Sequence, residues 1–162
     1  MAFVLVRIDD RLIHGQVSVA WGTALEPDRI VLANDDVAST EWKCDLYCDF
    51  DALGAAISVL SLDGFLETVR EGRWADERVL LVVGSPRDLL ALLEGGFAVP
   101  EANIGGMHGE TKREILPYVF VDESDVRDLR KIMRRGTKLV AQDVPQSRGV
   151  DLAPLLDRAA EA

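Results

Sequence analysis

The sequence predicts an α/β fold with a mostly parallel central sheet of about six to seven strands and helices on both of its faces. Two observations carry this. Short apolar runs of strand length alternate along the chain with longer runs at helical spacing. The punctuation between them is also of the right kind, with Ser85-Pro86 opening one helical run and Gly95-Gly96 closing it.

Taken in order, residues 3–8 (FVLVRI) read as the first strand, and residues 16–25 as a helix with Val17, Ala20 and Trp21 on one face. Arg29–Ala33 is a second strand, and residues 37–50 form a helix with an irregular apolar face. Ala56–Leu60 is a third strand, followed by a helix over 62–74 with Phe65, Leu66 and Val69 at helical spacing. Arg78–Val83 (RVLLVV) is the cleanest buried strand, and the helix after Ser85-Pro86 carries Leu89, Leu90, Leu92 and Leu93. Residues 102–105 and 118–121 are short strands on either side of the longest irregular stretch, 106–117, and irregular segments of that length are often functional. A helix opens at Asp122-Glu123 and ends near Gly136 with Lys131, Arg134 and Arg135 in its last turns, in the sense the helix dipole favours. Residues 138–142 form the last strand, and 150–160 close the chain as a helix.

The bulk properties set bounds. A chain of 162 residues that is 48% hydrophobic fits one domain over 1–162 with a full core. The net charge of −10, from 28 acidic and 18 basic residues, argues against nucleic acid and anionic lipid as partners, since both need a basic face. No apolar window reaches the ~18 residues of a membrane span, and the apolar stretch at residues 2–6 meets Arg7, Asp9, Asp10 and Arg11 too soon for a secretory signal. A cytoplasmic location follows as the expectation. Cys44 and Cys48 are the only cysteines; four residues apart, they read as reduced residues on a helix.

In sheets of this class, ligands bind beyond the carboxyl ends of the strands. Those ends carry the stretch from Asp9 to Gln16 after the first strand, Asn34-Asp35-Asp36 after the second, Gly84-Ser85-Pro86 after the fourth, Gly106-Met107-His108-Gly109 after the fifth and Gln142-Asp143 after the last. Both histidines of the chain are among them. The first loop suits a phosphoryl carrier. His14 supplies a nucleophile that is uncharged near neutral pH. The backbone N–H groups of Gly15, Gln16 and Val17 at a helix start supply donors for phosphoryl oxygens, and Arg11 supplies a bidentate cation. Phosphoryl transfer is mostly positioning and electrostatics, so this kit suffices. Of Asp9 and Asp10, one can hold Arg11 and one can accept an imidazole N–H, and the residues leave open which does which. Asn34 and Asp35 equally fit helix capping, Asp10 and Arg11 a surface ion pair, Ser85 an N-cap, and His108 a packing role in a Gly-rich loop.

The string Val6-Arg7-Ile8-Asp9-Asp10-Arg11-Leu12-Ile13-His14-Gly15-Gln16-Val17, with Trp21 after it, strongly resembles the opening of the IIB components of the mannose/fructose/sorbose family of phosphoenolpyruvate-dependent sugar phosphotransferase systems. The resemblance continues through Asn34-Asp35, residues 79–83, Asn103-Ile104-Gly105-Gly106-Met107-His108, Val121-Asp122-Glu123 and Gln142-Asp143-Val144-Pro145. It differs at Gly109-Glu110-Thr111-Lys112-Arg113, where such proteins often carry a Phe and a longer basic stretch, and in the acidic, Cys-bearing segment 42–53. The resemblance implies that His14 takes a phosphoryl group from a phosphohistidine of a IIA component. It then gives that group to a sugar bound by the membrane components IIC and IID, with Arg11 contacting the phosphoryl group, no metal or organic cofactor, and the chain peripherally associated with the transporter. The alternative is a regulatory protein whose phosphorylation state on His14 is read by a partner without sugar transport. A hydrolase or isomerase using His14 and His108 with Asp9 or Asp35 lacks a nucleophile elbow, P-loop or metal-spaced cluster to accompany it.

Overall fold

The computed structural model describes residues 2–161. Its main sheet has seven strands in the order β3-β2-β4-β1-β5-β8-β9, comprising β1 (Ala2–Asp9), β2 (Arg29–Ala33), β3 (Ala56–Leu60), β4 (Arg78–Val83), β5 (Glu101–Gly106), β8 (Lys138–Ala141) and β9 (Val150–Asp151). All neighbours pair in parallel except β9, which runs antiparallel to β8 at the edge. Strands buried on both faces need no polar alternation, which is why RVLLVV reads as an unbroken apolar run.

Successive strand residues point to opposite faces, and the two faces differ. One carries Val6, Ile8, Val79, Leu81, Val83 and Ile104, and it is covered by α4 (Leu62–Arg70), α5 (Pro86–Glu94), α6 (Glu123–Arg134) and α7 (Ala153–Glu161) through Phe65, Leu89, Leu92, Leu129, Ile132 and Leu156. The other carries Ile30, Leu32, Leu80 and Val82 under Ile13, Val17, Trp21 and Val37. Along β1 this second face stops being apolar. Arg7 and Asp9 point into it, both with no exposed surface, and Arg7 stands in register with Asn103 of β5. A polar cluster therefore replaces the hydrophobic layer at the centre of the sheet.

Several elements differ from the sequence reading. The helix expected over 16–25 begins as a wide π-helical turn, Gln16–Trp21, and continues as α1 (Gly22–Leu25). The helix expected over 37–50 is two, α2 (Asp35–Ala38) and α3 (Glu41–Cys48). The break has a local cause: the hydroxyls of Ser39 and Thr40 both donate to the Asp36 carbonyl, at 3.0 and 2.9 Å, and Thr40 is extended. No residue of α3 is buried, which accounts for its irregular pattern. The stretch 106–117 holds a strand of its own, β6 (Arg113–Leu116), which pairs with β7 (Val119–Val121) as an antiparallel hairpin outside the main sheet. The final helix starts at Ala153 because Val150–Asp151 joins the sheet edge. The α6 start is as expected: Asp122 accepts from the Asp125 amide at 2.8 Å and Asp125 returns the bond to the Asp122 amide at 3.1 Å.

Candidate functional site

At its carboxyl end β1 turns sharply. The Leu12 N–H donates to the Asp9 carbonyl at 3.0 Å and Leu12 takes a left-handed conformation with φ 62. That conformation costs a leucine about 1–2 kcal/mol. It is offset by packing, since Leu12 lies against the second core and Ile13 is buried in it. With those two side chains anchored, the loop lifts His14 to the rim, its side chain 22% exposed.

Asp9 organises everything around it. Its Oδ2 lies 2.9 Å from His14 Nε2. It accepts from Arg11 three times, through the backbone N–H at 3.0 Å, Nε at 3.1 Å and Nη2 at 3.1 Å. From beneath, Arg7 Nη2 donates to it at 3.0 Å. Burial alone would raise the Asp9 carboxyl, but hydrogen bonds from His14 and Arg11 and the charge of Arg7 outweigh it and hold the group far below the usual carboxylate range. Burial draws the Arg7 guanidinium down from its usual value while Asp9 opposes that shift.

Arg7 is the hidden support. Besides Asp9 it donates to Asn103 Oδ1 at 2.7 Å and to the carbonyls of Gln142 and Asp143, both at 3.0 Å. Trp21 lies over it, with the guanidinium carbon 5.5 Å from the ring centroid, and donates its own Nε1–H to the Asp143 carbonyl at 3.0 Å. The guanidinium occupies space that only a glycine at 105 leaves: a Cβ there would fall inside it.

Arg11 is 39% exposed and also donates to Gln16 Oε1 at 3.0 Å and to the Gly105 carbonyl at 3.3 Å. The Gln16 N–H points at His14 Nδ1 from 3.4 Å. The Val17 N–H is taken by the His14 carbonyl at 2.9 Å, so of the three amides expected to hold a phosphoryl group this one is already engaged. The two neighbouring aspartates divide in a way the sequence left open. Asp9 serves both Arg11 and His14, while Asp10 turns across the rim to His108, accepting its backbone N–H at 2.6 Å and facing its Nδ1 at 2.8 Å. Asp10, expected beside His14 and Arg11, therefore serves the second histidine instead.

The remaining rim residues are bound up in local structure. Asn34 caps α2 by accepting from the Val37 N–H at 3.0 Å, Asp35 accepts from the Leu62 N–H at 2.9 Å, and Ser85 caps α5 by accepting from the Asp88 N–H at 3.2 Å. Among the described residues, none of the three bonds to Asp9, Arg11 or His14. Sequence reading did not single out Arg7, Asn103 or Gly105 as site residues. The available signal was an arginine inside an otherwise apolar strand with an aspartate two residues on, which puts both on one face. A cavity of about 660 Å³ between α6 and the β6–β7 hairpin, lined by Arg113, Val126, Arg127 and Arg130, includes none of these residues.

Fold and cluster together define an α/β protein with a histidine-centred site at the carboxyl ends of its parallel strands. The chain belongs to the sorbose-type IIB components of the phosphotransferase system: the family described as "PTS system sorbose subfamily IIB component" matches residues 3–162. Members of this family are phosphotransferases that move a phosphoryl group from a IIA component to a sugar during uptake. The chain is 32% identical to the mannose-specific EIIAB component of Escherichia coli (strain K12) over 98% of its own length and 50% of that protein's, so it spans about half of this relative. It is 30% identical to the fructose-specific EIIB component of Bacillus subtilis (strain 168), covering 96% of each chain. The solved IIBSor domain of the sorbose permease from Klebsiella pneumoniae superimposes on it with a TM-score of 0.92 at 30% identity, over 100% of both chains. Among the described residues no helix is long and apolar enough to cross a membrane.

Proposed function

We propose that residues 1–162 act as one IIB unit in which His14 receives a phosphoryl group on Nδ1 from a phosphohistidine of a IIA component. The group then passes to a sugar held by the membrane components IIC and IID, with which this chain associates peripherally on the cytoplasmic side. The observation that carries the reading is the Asp9–His14 contact. An ionised carboxylate only accepts, so the proton of the neutral ring is on Nε2, facing Asp9 Oδ2 at 2.9 Å. The lone pair is then on Nδ1.

The chemistry follows from that tautomer. Nδ1 attacks phosphorus as the donor's N–P bond breaks. The phosphorylated ring, keeping its Nε2–H, becomes a cation, and the Asp9 carboxylate stabilises it. Arg11 holds Asp9 through Nε and Nη2, which leaves Nη1 without a protein acceptor among the described residues and available to a phosphoryl oxygen. The Gly15 amide supplies a further donor, the Gln16 N–H is released from Nδ1 once that lone pair bonds phosphorus, and Val17 contributes through the helix start rather than through its own N–H.

The test is acceptance from a phosphorylated IIA component, followed by mass spectrometry and mapping of the modified residue under alkaline conditions that preserve phosphohistidine. Modification of wild type on His14, and none in His14→Ala with its fold intact, is the expected result. An undiminished mass gain in His14→Ala refutes the assignment.

A further inference from the structure

We propose that His108 is the general base of the sugar-transfer step, its Nε2 taking the proton of the sugar hydroxyl as the phosphoryl group leaves His14. The inference rests on the phosphohistidine reading above and assigns a residue to the second of its two transfers.

The placement of His108 is built, not incidental. β5 ends at Gly106, and Met107 is then pinned to the hairpin: its N–H donates to the Tyr118 carbonyl at 3.0 Å, and its carbonyl accepts from the Phe120 N–H at 2.8 Å. The next residue therefore steps onto the rim in a fixed position. There both carboxylate oxygens of Asp10 engage it, Oδ2 at 2.6 Å from the backbone N and Oδ1 at 2.8 Å from ring Nδ1. Phe120 backs the ring, with centroids 6.2 Å apart. Because Asp10 can only accept, Nδ1 carries the proton and Nε2 presents a lone pair on a side chain 45% exposed. The adjacent aspartates thus set the two histidines in opposite tautomers, putting the lone pair on Nδ1 of His14, where the Gln16 N–H faces it at 3.4 Å, and on Nε2 of His108.

The His108 ring and the partners of His14 meet around one glycine. The point where a Cβ on Gly106 would stand is 3.0 Å from Arg11 Nη2, 3.0 Å from Asp9 Oδ1 and 3.1 Å from His108 Cε1, the ring carbon between Nδ1 and Nε2. The His108 ring, the Arg11 guanidinium and the aspartate that holds His14 therefore border the same niche.

The two transfers make different demands. Transfer from one histidine to another moves phosphorus between nitrogens and needs no base for the acceptor. Transfer to a sugar does. The hydroxyl oxygen bonds to phosphorus, the P–Nδ1 bond breaks and its electron pair returns to His14, and the hydroxyl proton goes to His108 Nε2. The resulting imidazolium is stabilised by Asp10 and releases its proton to water.

His108→Asn separates this role from a merely structural tie. An asparagine amide stands near the place of Nδ1 and can still donate to Asp10, but it puts nothing at Nε2. Wild type and variant are loaded from the IIA component, then mixed with vesicles carrying IIC and IID and, in turn, mannose, fructose, sorbose and N-acetylgalactosamine. The expected result is loading of the variant at close to the wild-type rate, with sugar-driven discharge slowed ~10²-fold or more. Discharge of the variant at the wild-type rate overturns the proposal, as does a loaded wild type that none of the four sugars discharges. A wild type that does not load on His14 refutes the underlying phosphohistidine reading itself.

Discussion

His14 Nε2 and Asp9 Oδ2 lie 2.9 Å apart, and the carboxylate that makes this contact has no exposed surface. Asp9 is thus a fixed anion, tied from below by Arg7 and from the side by Arg11, against which the imidazole is oriented. Asp9→Asn keeps the shape and removes the charge. Arg7 then stays buried with only neutral acceptors, an arrangement that costs about 3–5 kcal/mol. Urea unfolding of the variant is expected to show a loss of that order, together with slower phosphoryl acceptance because the tautomer is no longer imposed. A loss below about 1 kcal/mol would mean that Asp9 is not the counter-charge it is taken to be.

The same anion sets a pH signature. A carboxyl held below its usual range stabilises the fold in full above the unfolded value of about 3.9, and the stabilisation drains away as pH falls from there through the folded value. The stability gap between wild type and Asp9→Asn is therefore expected to be level from about pH 7 to pH 5 and to shrink below about pH 4. Unfolding curves for the two proteins across that range check it; a gap that widens on acidification reverses the assigned sign.

Gly105 is required by the arginine beneath it. A Cβ at this position would fall inside the Arg7 guanidinium, which is buried and tied to both Asp9 and Asn103 and so has little room to yield. Gly105→Ala is expected to lose about 3 kcal/mol or more, beyond the usual cost of overpacking, because a charged network breaks along with the packing. Thermal unfolding within a few degrees of wild type would show that Arg7 has another place to go.

What the residues disclosed in advance, and what they did not, follows from how each level of structure is encoded. The parallel sheet was legible because RVLLVV and RIVLA are strand-length apolar runs between helical ones. The rim position of His14, Arg11 and His108 was legible because strand ends in this class collect ligands. The β6 strand was missed because REIL alternates too briefly, and its partner lies just across the Pro117-Tyr118 turn in a two-stranded hairpin. The π-helical turn after His14 depends on how Val17 and Trp21 meet the sheet, which no periodicity records. The division of Asp9 from Asp10 was equally out of reach. Adjacent strand-end residues point to opposite sides, and which side holds His14 depends on Leu12 entering a left-handed turn.

Arg11 acts mainly on charge at the rim. Its side chain is 39% exposed but two of its nitrogens hold the buried Asp9 carboxylate, so Arg11→Ala is expected to cost about 1–3 kcal/mol of stability, less than Asp9→Asn. Phosphoryl acceptance is expected to slow ~10²-fold or more, as when one electrostatic donor is lost from a reacting centre. Single-turnover loading from a phosphorylated IIA component measures the rate; a value within about twofold of wild type removes Arg11 from the reaction.

Gly15 separates the demands of folding from those of transfer. Its backbone is ordinary right-handed helix, φ −53 and ψ −37, and nothing lies within 4 Å of the place a Cβ would take. The folded chain therefore has no need of glycine here, and alanine at a helical position stabilises by about 0.5–1 kcal/mol through the unfolded state. The need for glycine arises only if a group must approach the backbone between His14 and Gln16, as a phosphoryl group held by those amides would. Gly15→Ala is thus expected to raise the melting temperature slightly while slowing acceptance onto His14. A variant that is both more stable and fully active would place the phosphoryl oxygens elsewhere, on Arg11 and solvent rather than on the helix start.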